Sequence, residues 1–133
     1  MSDTYYVKTF GGLEITNDNV TVNIVELFGK QLVNLLQVLL FHSEKPVQKD
    51  ELIDILWPES KNPSSALKFS IFRLRAELNE IEFFKDKEVI VTTRKGYILN
   101  PNLDWNIDFV ELEKAYNQIN DGSELLDEKE FKT

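Results

Sequence analysis

The chain has 133 residues, enough for one domain with a short appendage and too few for two full domains. Hydrophobic residues make up 42% and charged residues 29%, the proportions of a soluble globular protein, and the net charge of −8 argues at face value against a nucleic-acid partner. With no Cys and a single His, His42, the chain excludes a disulfide framework, a zinc–thiolate site, a Cys nucleophile and any site built on two histidines.

In chain order, YYVKTF (residues 5–10) and LEIT (residues 13–16) read as two short strands joined at Gly11-Gly12. A third strand is expected at Val20–Ile24, where apolar and polar residues alternate. The period then changes. From Lys30 to Phe41, Leu32, Leu35, Leu36, Leu39 and Leu40 form the broad apolar face of a first helix, and Pro46 follows it. A second helix runs over about Lys49–Trp57, with Asp50 and Glu51 in its first turn complementing the macrodipole. Leu52, Ile55 and Leu56 supply its buried face, and Pro58 ends it. The third helix starts with Asn62 as cap and Pro63 at the first helical position. Leu67, Ile71, Leu74 and Leu78 make a single stripe along it as far as Asn79.

Beyond it, EVIVTT (residues 88–93) and YIL (residues 97–99) read as a hairpin around Arg94-Lys95-Gly96, with Gly96 able to take a positive φ. Pro101 closes this unit. A last amphipathic helix is expected at about Asp108–Ile119, with Phe109, Leu112, Tyr116 and Ile119 on one face. Residues 121–133 are mostly charged and have little to bury, as in a disordered tail or the start of something truncated. The expected division is 1–102 and 103–133. The fold class is α+β: a winged helix-turn-helix with an N-terminal antiparallel sheet, three helices and a C-terminal β-hairpin wing.

The charge is unevenly spread. Residues 1–60 hold four basic and nine acidic side chains, residues 61–100 hold eight and five, and residues 101–133 hold three and nine. One basic segment, +3, therefore lies between acidic ones. Local charge within a Debye length of about 8–10 Å governs encounters with a partner, so the total is a weak guide.

With the Leu67/Ile71/Leu74/Leu78 stripe inward, the third helix turns Ser65, Phe69, Phe72 and Ala76 outward. Arg73 lies on one shoulder, Lys68 and Arg75 on the other. Apolar atoms flanked by guanidinium groups suit a DNA groove, where thymine methyls, guanine edges and phosphates are met together. Arg94 and Lys95 at the hairpin tip, beside Thr93, fit an adjacent minor groove or backbone. Lys61 adds charge near the helix's positive N-terminal end. Each feature also has an ordinary reading. Arg73 and Arg75 can pair with Glu77 or Glu80 on the surface, Lys95 is a commonplace turn residue, and Phe69 or Phe72 can be buried against the N-terminal strands.

The runs LIDILWPES, ALKFSIFRLRAEL and VIVTTRKGYIL resemble the OmpR/PhoB-type winged-helix domain of response-regulator-like transcription factors. With FGGLEI and LWP, the resemblance is closest to the antibiotic-regulatory-protein (SARP) class of bacterial transcriptional activators, and it covers about residues 5–100. It implies a third helix in the major groove and a wing on the minor groove. By position it makes Arg73 the base reader, Lys68, Ser70 and Arg75 backbone or base-edge contacts, and Arg94 and Lys95 wing contacts. Pro58, Glu59, Ser60 and Lys61 become a loop facing RNA polymerase. Asp108-Phe109 with Leu112 and Ala115 resembles the opening of the helical activation domain that follows in that class. The chain departs from the OmpR/PhoB pattern at Phe72, where a basic residue is common, and at Ala76, where a basic or polar one is.

Catalysis is not expected. Gly11-Gly12 lacks a dinucleotide-binding spacing, and the carboxylate groups around Asp50 and Asp104 lack an EF-hand pattern. No apolar run approaches the ~18 residues of a membrane span, and the N-terminus lacks a signal-peptide order. The expectation is a cytoplasmic, sequence-specific binder of double-stranded DNA, working as a homodimer or in tandem on repeated sites, without cofactor, metal or membrane. The alternative is a winged-helix module that docks a protein through Phe69 and Phe72 and binds no DNA.

Overall fold

The computed structural model describes residues 4–9 and 12–120. Strands β1 (Thr4–Lys8), β2 (Glu14–Asn17) and β3 (Val20–Asn23) pair antiparallel in that order. Period-2 alternation turns Tyr5, Val7 and Ile15 into the core and leaves Tyr6 and Lys8 outward. The turn between β2 and β3 holds Asp18 at φ 53°, a left-handed conformation that Asp tolerates better than a branched residue. The Gly11-Gly12 turn lies partly outside the described residues.

The third strand stops one residue sooner than expected, because Ile24 opens a single helical turn, α1 (Ile24–Leu27), capped by Asn23 Oδ1 accepting the Glu26 N–H at 3.3 Å. Helix α2 (Lys30–Phe41) has the expected bounds and is the central element, with Leu35, Leu36, Val38, Leu39 and Leu40 fully buried. Helices α3 (Lys49–Leu56) and α4 (Pro63–Asn79) pack on it. Trp57 ends α3 as its C-cap. Asn62 stands at the α4 cap position, but its side chain accepts no bond from the helix; instead its own N–H donates to Ser60 Oγ at 3.1 Å. A 3₁₀ turn at Glu82–Phe84, absent from the sequence reading, sets Phe84 4.9 Å from the Tyr5 ring.

Strands β4 (Ile90–Thr93) and β5 (Gly96–Leu99) form the wing. The wing is anchored on its inner edge. Val47 and Tyr97 exchange backbone N–H···O bonds of 2.8 and 3.0 Å, tying β5 to the segment just before α3. Gly96 takes φ +139°, and a Cβ there would overlap the Val47 carbonyl, so both conformation and space require glycine.

The chain after residue 102 continues in the same sheet. Strand β6 (Asp104–Ile107) pairs parallel with β1 and completes a sheet of order β3-β2-β1-β6, so the antiparallel sheet gains a parallel edge. Helix α5 (Phe109–Asn120) lies against α2 and α3. Its Leu112 is 0% exposed, and Tyr116 stacks on Phe41 at 4.2 Å while its hydroxyl lies 3.1 Å from His42 Nε2. Residues 104–120 thus share the sheet and core of the winged helix. The expectation for residues 121–133 lies outside the described residues.

Candidate nucleic-acid interface

Helix α4 buries Leu67, Ile71, Leu74 and Leu78 and leaves the opposite face open. Phe69 and Phe72 are 61% and 68% exposed, so neither is buried under the strands, and Ser65, Lys68 and Ala76 are exposed with them. Large apolar rings in water are unfavourable unless something covers them. Ser70 does not join this face. It is 8% exposed and lines a small recess with Gly29, Gln31 and Leu32, because it lies about 60° from the Leu67 direction. Burial sets it apart from the exposed face to which the family resemblance assigns it.

The two arginines turn opposite ways. Arg73 stands beside the start of α2, its guanidinium 5.8 Å from the Phe69 ring centre and 3.6 Å from a Glu77 carboxylate oxygen. Contacts of this exposed kind contribute about 0.5–1 kcal/mol each, so they orient the guanidinium without locking it. Arg75 is held instead. Its Nε and Nη2 donate to the Ile90 carbonyl at 3.3 and 3.1 Å, and Nη2 also donates to Thr92 Oγ1 at 2.6 Å. A shallow groove beside this link, lined by Phe72, Ala76, Asn79 and Lys87, brings in Lys87, which the sequence reading misses. Lys87 lies outside both the helix period and the hairpin tip, so no pattern marks it.

At the wing tip, Thr93 is a builder of the turn. Its Oγ1 accepts the Lys95 N–H at 3.1 Å and donates to the Gly96 carbonyl at 3.0 Å. That closes a two-residue turn with Arg94 and Lys95 exposed at its apex. The loop between α3 and α4 leaves Pro58, Glu59, Ser60 and Lys61 exposed, folded back by the Ser60 N–H donating to the Trp57 carbonyl at 3.3 Å. Among the described residues, Lys61, Lys68, Arg94 and Lys95 make no side-chain hydrogen bond or ion pair. Also among the described residues, no group of His, Asp or Glu is arranged to hold a metal, and no helix is long and apolar enough to cross a membrane.

A helix-turn-helix braced by a sheet, with a β-hairpin beside its last helix and bare cations along both, defines a winged-helix DNA-binding domain. Residues 20–99 match the family described as transcriptional regulatory protein, C terminal, and the chain belongs to that family. It is the DNA-binding domain of a transcriptional regulator. Among solved structures it is similar to the DNA-binding domain of Escherichia coli CadC, with 26% identity and a TM-score of 0.52 over 70% of this chain and 83% of that one. It is similar in fold to Mycobacterium tuberculosis EmbR, solved in complex with a low-affinity phosphopeptide, with 23% identity and a TM-score of 0.53. That match covers 73% of this chain and 24% of EmbR. No protein of curated function matches the sequence. Family and fold are those of transcription regulators that are typically non-enzymatic.

Proposed function

We propose that this domain reads specific sites on double-stranded DNA, with α4 in the major groove and the Arg94-Lys95 tip on the adjacent minor groove or backbone. The observation that carries the reading is the exposed Phe69/Phe72 pair, with Arg73 on one shoulder and Lys68 on the other, beside a wing that ends in two cations. Phenyl edges meet thymine methyls, Arg73 reaches a guanine edge, and Lys61, Lys68, Arg94 and Lys95 take phosphates. The Arg73 contacts to Phe69 and Glu77 are weak enough to be exchanged for a base. The same reading makes the chain a cytoplasmic bacterial activator of SARP type, acting as a homodimer or in tandem, with Pro58–Lys61 offered to RNA polymerase.

The test is Arg73→Ala against a site selected from random duplexes. The expected result is a loss of about 1–3 kcal/mol with relaxed preference at one base pair. Unchanged affinity contradicts the base-reader assignment. The exposed phenyl pair also supports a protein-docking reading, in which the parent domain shows no salt-dependent affinity for duplex DNA.

A further inference from the structure

Arg75 stands apart from the other cations of α4, and its role rests on the DNA-binding function proposed for the domain. In the wing ladder, Tyr97 spends its N–H and carbonyl on Val47, so its cross-strand pair with Thr92 carries no β4–β5 bonds. By alternation the Ile90–Leu99 pair is of the same kind, which points the Ile90 carbonyl out of the hairpin toward its open edge. Arg75 meets it there. Nε and Nη2 both donate to that oxygen, and Nη2 reaches Thr92 Oγ1 one pleat further along. The guanidinium thus spans two successive outward positions of β4, while the other edge of the wing is fixed at Val47.

We propose that Arg75 is a positioning residue that fixes the angle between the recognition helix and the wing, and that it does so without touching DNA. Turning the guanidinium to a phosphate would break three hydrogen bonds and leave the Ile90 carbonyl without its donor. Thr92, bonded to Arg75, lies two residues from Arg94 in the chain, so the brace sets where the wing-tip cations stand relative to Phe72 and Arg73. Only arginine suits this role: its planar fork serves two acceptors, whereas a lysine ammonium is a point charge. Because Val47 still anchors β5, loss of the brace loosens the wing rather than unfolding it.

The test measures affinity for a selected duplex against salt for the parent and for Arg75→Lys, Arg75→Gln and Thr92→Val, each with and without Arg94→Ala, with folding checked by circular dichroism. The positioning role predicts that Lys and Gln lose affinity alike, by roughly tenfold, with one salt slope shared by the two variants, and that Thr92→Val loses less in the same direction. It also predicts that the Arg94→Ala penalty shrinks once Arg75 is Lys, a coupling between residues that do not touch. If Lys binds like the parent while Gln loses affinity and about 0.9 of slope, Arg75 is a phosphate contact and the proposal is overturned. Parent-like affinity in both Arg75 variants also overturns it. If neither Arg75 variant folds, Thr92→Val decides: an unchanged Arg94→Ala penalty rejects the brace. A parent that binds no duplex at all rejects the DNA-binding reading itself, and the proposal falls with it.

Discussion

The sheet and α5 side of the molecule treats its polar groups differently from the α4 and wing side. On the first, several polar side chains are bonded internally, although Thr9 Oγ1 and Trp105 Nε1 are buried without a partner and Tyr6, Leu27 and Phe109 are exposed singly. Thr4 donates to Asp104 at 2.8 Å, Thr16 and Thr21 share a bond of 2.8 Å, Asn17 donates to the Thr4 carbonyl at 3.1 Å, and His42 meets Tyr116 at 3.1 Å. On the second, Lys61, Lys68, Lys87, Arg94 and Lys95 are exposed without a side-chain partner among the described residues, and two phenyl rings face water. A fold normally satisfies its polar groups and covers its large apolar ones. What sets the second side apart is concentration: its two most exposed aromatic rings and most of its unpaired cations lie together on one helix, its preceding loop and one hairpin tip. The net charge of −8 obscures this, because it sums a basic helix and wing with acidic segments on either side in the chain.

Three perturbations break the comparison in order of expected size. Leu112→Ala is the largest, because it empties a fully buried site between α5 and the core. A loss of about 2–5 kcal/mol in denaturant unfolding is expected, with DNA affinity per folded molecule retained. An unchanged unfolding midpoint would mean that α5 is only an appendage. Gly96→Ala comes next: the positive φ and the overlap with the Val47 carbonyl together cost roughly 3 kcal/mol. Here the effect falls on the DNA side, so amide exchange in the wing should accelerate while β1 and α5 stay protected.

The smallest effect is alkaline. Burial, and secondarily the Glu51 carboxylate, raise the Tyr116 phenol above its ordinary value of 10.0. Because the folded value is raised, the stabilisation is fully present below the ordinary value and is lost as pH rises through the folded one. The unfolding midpoint should therefore fall faster above pH 10.0 in the parent than in Tyr116→Phe, and parallel curves would show that Tyr116 contributes nothing to it.

The helices were legible in the sequence because leucine spacing alone specifies a buried face, and α2 and the α4 stripe need no knowledge of their partners. The phenyl pair and the tip cations were legible for the same reason, being what lies opposite a stripe or between two strands. Strand β6 was not. Asp104–Ile107 alternates over only four residues, and its partner β1 lies about 100 residues away in the chain. Ser70 enters as a contact through the family resemblance alone, and its burial beside the start of α2 depends on packing that the four-residue stripe does not specify. Arg75 reads as one more surface cation, since its role depends on which way a carbonyl of β4 points. Residue type fixes what a side chain can do; here strand register decides which of those things it does.

The cations of α4, its preceding loop and the wing tip are the groups that must bind duplex DNA if the α4 and wing side is the functional one. The most direct measurement is affinity against salt, by fluorescence anisotropy, for the parent and for a variant with Lys61, Lys68, Arg94 and Lys95 all changed to Ala. With four phosphate contacts at about 0.9 each, the parent should show a log–log slope of about −3.6, and the variant a slope near zero. A parent slope near zero, or the same slope in both proteins, would contradict it.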